Sequence, residues 1–350
     1  MMKNYIVFGL FLTLAFFGCE NKDTTPENTE ENFSLKEDTT SLKTEALTPD
    51  AVKDIVLEYK LKKGDKFTYR VSAYSSEVAT VKGPQTMSQS ISEERTYIIE
   101  TEVKEVESDK SLDISFLIKS IKVDAIVDGN KISYLSGSKI DFADIKKFAE
   151  YEGLYKNSFG ARLTSSGEII ELYKLDKIVN KMLEITGLKD SISLEEKKQI
   201  KQQLDMGSLR LIVSQIFRKL TTDKVSVNSE WSTPQPTVDI QLLKLDNSYK
   251  FKINAFEKFD DDILAVINAG VESKFTINPD AKKAGFDVQK PQFNAQGKIY
   301  FNTTRNLIQK SVSQIDFDFM VSGPVPTPTG TIKASRYQKK SSRNTVELLD

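Results

Sequence analysis

The residues available for chemistry are restricted in kind, because this 350-residue chain has no histidine and a single cysteine, Cys19. Disulfides, zinc-type sites and nucleophiles activated by an imidazole each need histidine or further thiols. These classes of site are therefore excluded, and we expect neither a metal nor a cofactor. Any reaction would have to proceed through carboxylates, hydroxyls or amines.

Two groups of carboxylates have the spacing of possible sites. Asp260-Asp261-Asp262 could offer oxygens to calcium, but the run lacks the spaced ligands and the glycine of a calcium loop, which favours a solvated hairpin tip. Asp316 and Asp318 lie two residues apart, as a glycosidase pair on one strand face might. A strand with one wet face produces the same pattern, so we assign no catalytic residue there.

Two further motifs are ambiguous. Ser136 and Lys139 match Ser-x-x-Lys, but the companion motifs of the enzymes that use it are absent from the sequence. Trp231 could stack on a sugar, although a lone tryptophan at a strand start more often anchors that strand against the core. Neither motif is assigned a site.

A basic tail near the C-terminus could contact anionic lipid, or it could be an ordinary solvated terminus. It consists of Arg336, Lys339, Lys340 and Arg343.

The N-terminal residues have the pattern of an export signal. One early cation, Lys3, precedes an apolar run over residues 5–17 that is too short for a mature membrane-spanning helix. Residues 14–19, Leu-Ala-Phe-Phe-Gly-Cys, resemble the lipobox of bacterial lipoproteins. That resemblance implies that residues 1–18 are removed as a signal peptide and that Cys19 is acylated, so that the membrane is a partner. The alternative is an uncleaved signal anchor with an incidental thiol.

Residues 19–50 are expected to form a disordered acidic tether. Nine acidic residues and three lysines lie between Glu20 and Asp50, with few large apolar side chains. The net charge of the whole chain is −1, so the remainder is only mildly basic. Such a small excess does not predict nucleic-acid binding, which requires basic residues massed on one face.

A first block of strands is predicted over residues 55–172. Alternation over residues 55–61 and 67–73, around Gly64-Asp65, predicts an antiparallel hairpin. Between Leu112 and Val127 the apolar positions change parity, which predicts a β-bulge near Lys119-Ser120. A short helix is predicted over residues 141–151 by its apolar spacing.

Residues 174–220 change to helical periodicity. Apolar stripes occupy residues 175–183 and 209–220, and between them Ser193 and Glu196 have the form of a capping box. The two striped helices either cover a sheet face as plain core or form a lid over an apolar pocket.

Strands return over residues 225–338, including Ile315 to Val321, where Ile315, Phe317 and Phe319 face away from Asp316 and Asp318. Together the blocks predict an α+β fold, mainly antiparallel β: a strongly curved sheet or half-barrels with the helical segment packed on one face. The envelope domain is predicted over residues 51–341, as one domain or as two related halves.

The order of several short motifs resembles an uncharacterised family of Gram-negative envelope lipoproteins. The motifs occupy residues 59–67, 163–168, 225–231 and 297–301. The resemblance implies a lipid-anchored protein of the cell envelope, at the outer membrane and facing either the periplasm or the surface. It implies no activity.

We therefore expect a non-enzymatic binding or assembly protein that holds a lipid or another hydrophobic ligand. In this form it resembles the periplasmic lipoprotein and lipid carriers, whose half-barrels hold acyl chains, and it predicts a continuous apolar cavity beneath residues 209–220. The alternative is a surface module that binds glycan or a protein partner. A hydrolase acting through Asp, Glu, Ser or Lys is the third possibility.

Overall fold

The computed structural model describes residues 42–240, 242–327 and 330–349. Cys19, the predicted signal peptide and most of the predicted tether lie outside these residues.

The described residues form seventeen strands. In chain order they are β1 (Glu45–Ala46), β2 (Ile55–Val56), β3 (Lys66–Lys82), β4 (Thr86–Val106), β5 (Leu112–Val127), β6 (Asn130–Leu135), β7 (Ser158–Leu163), β8 (Ile169–Tyr173), β9 (Lys224–Val225), β10 (Glu230–Pro234), β11 (Val238–Ile240), β12 (Leu243–Phe259), β13 (Asp262–Ile277), β14 (Asp287–Val288), β15 (Gln292–Asn302), β16 (Leu307–Thr327) and β17 (Gly330–Leu348).

The helices are short by comparison. They are α1 (Phe142–Ile145), α2 (Ala149–Leu154), α3 (Asp176–Thr186), α4 (Leu194–Leu204), α5 (Arg210–Ile216) and α6 (Pro279–Lys283), with a 3₁₀ turn at Lys146–Phe148 and a π-helical turn at Asp205–Leu209. Within the described part of the chain, no helix has the length and apolarity needed to cross a membrane.

One large antiparallel sheet contains fifteen of the described strands. Its main order is β1-β12-β13-β15-β16-β17-β3-β4-β5-β7-β8, while β2 pairs separately with β9. The last strand, β17, pairs with both β16 and β3, so it joins the two predicted strand blocks into a single sheet. The mainly antiparallel β prediction is confirmed.

Local sequence signals place several of these elements correctly. The register between β4 and β5 shifts where Ile98 pairs with Ser120 and Ile99 with Ile118, so Lys119 is bulged as its parity change predicts. The predicted helix over residues 141–151 is present as α1, the 3₁₀ turn and α2. The Ser193–Glu196 capping box is formed in full at the start of α4.

The predicted hairpin over residues 55–73 is wrong. Of residues 55–61, only Ile55–Val56 forms a strand, and it pairs with β9. The second predicted strand is part of β3, which pairs with β4 and β17. Leu57, Tyr59 and Leu61 do alternate into the core, but Lys60 and Lys62 between and after them are exposed, and the Tyr59 amide donates to the Ser165 carbonyl oxygen at 2.8 Å instead of to a neighbouring strand. Burial, not strand pairing, explains the period of two in this segment.

The strands are also longer than the apolar alternation indicates. β4 begins at Thr86, and β17 continues to Leu348. The predicted domain end at residue 341 and the predicted basic tail are therefore wrong, because Arg336, Lys339 and Arg343 lie within a central strand. Most side chains on both faces of β17 in this region are half-buried or exposed, so polar residues occupy both faces and no apolar alternation marks the strand.

The end of the predicted tether is ordered. Glu45–Ala46 pairs with β12, and the Leu47 amide donates to the Phe256 carbonyl oxygen at 2.9 Å. Residues 42–50 therefore belong to the folded body.

The main core lies between one face of the sheet and the helical segment. We call this the core face; it carries Tyr69, Ile99, Phe116 and Phe301, all at most 1% exposed. Phe217, just after α5, contacts the rings of Tyr59, Phe67 and Phe116. The helices therefore cover this face at one end of the long strands.

Candidate functional site

The carboxylates proposed as candidates occupy structural positions. Asp260 and Asp261 form the turn between β12 and β13, and Asp262 accepts a hydrogen bond from Asn302 Nδ2 at 2.8 Å. This is the expected hairpin tip. Across the described ranges, no group of three or more side chains from Asp, Glu, His and Cys is arranged to hold a metal ion.

Asp316 and Asp318 do share the face opposite the core face, which we call the outer face, but their partners are neutral. Asp316 accepts from Ser341 Oγ at 2.6 Å and from Gln314 Nε2 at 3.0 Å, and Asp318 accepts from Tyr337 Oη at 2.8 Å. These bonds hold the side chains along neighbouring strands. The geometry supplies no acid–base pair.

The Ser-x-x-Lys match is also structural. Ser136 follows β6, and its Oγ accepts a hydrogen bond from the Ile121 amide at 2.9 Å, beside the β5 bulge. This hydroxyl caps a backbone donor that the irregular ladder exposes.

Trp231 lies on β10, where its ring stacks on Phe251 at 5.2 Å and packs against the core. Trp231 therefore anchors β10 against the core, which is the second of the two interpretations of this tryptophan. Its indole Nε1 is buried and has no hydrogen-bond partner among the described residues.

The space beneath residues 209–220 is filled, which corrects the predicted cavity. Leu209, Ile212, Val213, Ile216, Phe217 and Leu220 are at most 6% exposed and belong to the same core cluster as the sheet residues. The segment therefore covers the sheet as part of the core, with its apolar stripe buried against the sheet residues.

An open pocket of about 510 Å³ lies elsewhere, on β10, β12 and β13. It is lined by Glu230, Trp231, Ser232, Lys250, Phe251, Lys252, Asn268, Ala269 and Gly270. The register puts Glu230, Lys252 and Asn268 on the outer face, where Lys252 pairs with Glu230 at 3.0 Å. Most of the lining is therefore polar and solvated, unlike an apolar ligand site.

The apolar surface that remains without helical cover lies farther along the core face. We call it the apolar strip, and it consists of Tyr249, Val271, Phe275, Phe293, Ile315, Phe317, Phe319 and Val321. The register places these residues on one face, since Tyr249 pairs with Val271 and Phe293 pairs with Phe317. All are half-buried or exposed.

Ring contacts join members of the strip in pairs, and the register of Phe293 with Phe317 brings two of these pairs together. Phe275 contacts Phe293 at 6.4 Å, and Phe317 contacts Phe319 at 6.1 Å. At its covered end Tyr249 contacts Phe251 at 6.4 Å, and Phe251 in turn packs against the main core. An exposed apolar surface of this continuity is typical of an interaction or ligand site.

The sequence contained only part of this signal. The alternation of Ile315, Phe317 and Phe319 with aspartates was visible and predicted a buried face. Alternation cannot distinguish a face covered by helices from one left open, so it does not identify the strip as a site.

A family model matches residues 109–308, and its description is a family of unknown function (DUF6263). Among the curated proteins, none matches this chain in sequence.

Several solved structures align with this chain, all with low TM-scores and low sequence identity. Lipovitellin, in a structure that describes its lipid–protein interactions, aligns over 83% of this chain and 26% of its own, with 10% identity and a TM-score of 0.41. This chain thus spans about a quarter of lipovitellin.

The COG4313 outer membrane channel from Pseudomonas putida F1 aligns over 82% of this chain and 97% of its own, with 9% identity and a TM-score of 0.18. A DUF1329 family protein from Desulfovibrio piger aligns over 76% and 83%, with 6% identity and a TM-score of 0.11. Likeness at these scores carries no argument about function.

Proposed function

The chain belongs to the family of unknown function DUF6263, and we propose that it is a lipid-anchored protein of the bacterial cell envelope that binds a hydrophobic ligand without catalysing a reaction. The anchor is Cys19, whose sequence context resembles a lipobox. Two or more acyl chains on one cysteine hold a protein on a membrane almost permanently.

The apolar strip is the observation that supports ligand binding. It continues the core face beyond the helices: Phe275 on β13 contacts Phe293 on β15, and Phe293 pairs in register with Phe317 on β16. Burying these half-exposed side chains against an acyl chain is favourable by about 25 cal/mol per Å² of apolar surface removed from water. Neighbouring strands lie about 4.8 Å apart, so the four strands of the strip are about 14 Å wide, enough for an acyl chain to lie on them.

The candidate catalytic groups support a non-enzymatic role. Asp316, Asp318 and Ser136 are each engaged by structural hydrogen bonds. A hydrolase would need one of them free to reach a substrate.

Photo-crosslinking tests the proposal on the full chain in phospholipid vesicles. A palmitic acid that carries a diazirine on its chain should label peptides containing residues 271–277, 291–298 and 313–321. Phe293→Ser with Phe317→Ser should reduce that labelling several-fold, because the substitutions remove the aromatic contact surface.

Lys250→Ser is the control, because Lys250 lies on the outer face, on the opposite side of the sheet from the strip. The proposal fails if the strip peptides are not labelled, or if the Lys250→Ser chain loses as much labelling as the strip variant. A second copy of the chain on the strip is the competing outcome, and it would appear as chain-to-chain crosslinks without labelling by the probe.

A further inference from the structure

The strand next to the apolar strip places a cation on the same face of the sheet. Arg336 on β17 pairs in register with Val321 on β16, at the end of the strip farthest from the helices, and on its other side with Val81 on β3. Residues paired directly across antiparallel strands project to the same face. The Arg336 side chain therefore projects from the core face, beside the strip.

The positions around Arg336 on this face carry no charge. On β3, β16 and β17, the acidic side chain nearest to it on the core face is that of Glu77, which lies opposite Lys340. Lys340 is four residues from Arg336, or about 13 Å along the strand. Glu77 is also engaged, because its Oε1 accepts from Gln338 Nε2 at 2.7 Å. The closer neighbours are all neutral: Val321, Phe319, Val81, Ala79, Ala334 and Gln338.

The guanidinium has no partner of its own. The Arg336 side chain is half-buried, its Nε is buried without a hydrogen bond, and no carboxylate of the described residues pairs with it. Arg95, on the same face of β4, pairs instead with Glu93 at 3.0 Å. A charge taken out of water is costly unless another group pairs with it. Arg336 therefore retains its capacity to bind an anion.

The strip ends beside this cation. The ring of Phe286 lies against Gly323, which follows Val321 on the same face of β16. Val288 on β14 pairs with Val321 and is 7% exposed. Arg336 is thus placed where the open apolar surface stops, at the opposite end from the helical cover.

Resting on the proposed function, we infer that the ligand is a long-chain fatty acid whose carboxylate binds the Arg336 guanidinium while its chain extends along the apolar strip towards the helices. A carboxylate matches the fork of an arginine, which can donate two parallel hydrogen bonds to it. One unpaired cation among neutral neighbours balances the single negative charge of the acid. From Val321 to Ile315 the strip is about 20 Å long at about 3.3 Å per residue, so an extended acyl chain can lie along it.

The test uses the full chain in phospholipid vesicles with two diazirine probes of the same chain length, palmitic acid and hexadecanol. Palmitic acid should label the strip more strongly. Arg336→Gln should lower labelling by the acid on the order of tenfold, because a charge-assisted pair is lost. It should leave labelling by the alcohol unchanged, which also shows that the strip is still folded. Arg336→Lys should restore part of the labelling, because lysine keeps the charge but lacks the fork.

The position of the diazirine tests the direction of the bound chain. A palmitic acid that carries the diazirine near its carboxylate should label residues 319–323 and 334–338. One that carries it near its methyl end should label residues 269–273 and 313–317. The reverse pattern would overturn the inference.

Two lysines on β17 provide matched controls. Lys339→Gln removes an exposed cation on the outer face, opposite Asp318, so it should not alter labelling by the acid. Lys340→Gln removes the other cation beside the strip, opposite Phe317. Because Lys340 also faces the opposite charge of Glu77, its loss should lower labelling by the acid much less than Arg336→Gln does.

The inference is overturned if Arg336→Gln leaves labelling by the acid intact, lowers labelling by acid and alcohol equally, or is matched by either control. A phosphatidylglycerol probe that labels the strip in preference to palmitic acid would also overturn it, since the anion would then be a phosphodiester. In each case labelling of the strip in the unaltered chain would leave the proposed function standing. Absence of strip labelling by every probe would instead overturn the proposed function.

Discussion

At the scale of the residue, Gly167 shows how closely the turn after β7 approaches the Arg218 backbone. Its φ is +86°, a left-handed conformation that other residues adopt at a cost of about 1–2 kcal/mol. A Cβ at this position would also overlap the Arg218 carbonyl oxygen and the Tyr59 ring. The glycine therefore permits the contact that positions Arg218.

We predict that Gly167→Ala lowers the free energy of unfolding by about 1–3 kcal/mol more than Gly129→Ala, because overlap adds to backbone strain. Gly129 has a similar φ of +82°, but no atom lies within 4 Å of the position that a Cβ would occupy there, which makes it a matched control. Urea denaturation of both variants measures the difference. Equal losses would mean that the turn moves freely and does not hold Arg218.

At the scale of the element, α5 and the residues after it behave as core and not as a lid. The stripe over residues 209–220 identified the buried side of this helix from its period alone. The period could not show whether that side meets a filled interior or a cavity, because both require the same apolar residues. The ring contacts of Phe217 with Tyr59, Phe67 and Phe116 decide the matter.

Phe217→Ala should therefore lower the free energy of unfolding by about 3–5 kcal/mol, as expected when an aromatic ring is removed from a filled core. Leu211→Ala provides the comparison on the same helix, since Leu211 is 54% exposed, and it should change stability by no more than about 0.5 kcal/mol. Chemical denaturation measures both. A mobile lid would instead predict a small loss for Phe217→Ala.

At the scale of the whole molecule, β17 unites the two strand blocks. It pairs with β16 from Gly330 to Glu347 and with β3 from Ser335 to Leu348. Val346 and Leu348 at its end are buried in the core, at 0% and 8% exposure. Removing the end of this strand would open both pairings at once.

A chain that ends after Ser341, the domain end indicated by the sequence, should fail to unfold cooperatively and should be degraded rapidly by protease. A chain that lacks only Asp350 should match the intact protein in both respects. Thermal unfolding followed by circular dichroism, with limited proteolysis, compares them. Cooperative unfolding of the shorter chain at an unchanged temperature would contradict the central role of β17.

The periodicity of apolar side chains and the residue types present are sufficient to predict much of the local structure. They indicated the β-rich class, the bulge at Lys119, the capping box at Ser193 and the exclusion of imidazole and thiol chemistry. Each of these depends on a few neighbouring residues, so no knowledge of distant segments was needed. The lipobox-like context of Cys19 is likewise local, and acylation there remains a prediction.

Only the tertiary structure decided which apolar surface stays uncovered. β16 has 21 residues and spans about 70 Å at about 3.3 Å per residue, whereas the 11 residues of α3 span only about 16 Å at 1.5 Å each. The helices therefore cover one end of the core face and leave Phe317 and Phe319 beyond them. Period shows which side chains share a face, but what covers that face depends on how distant segments pack.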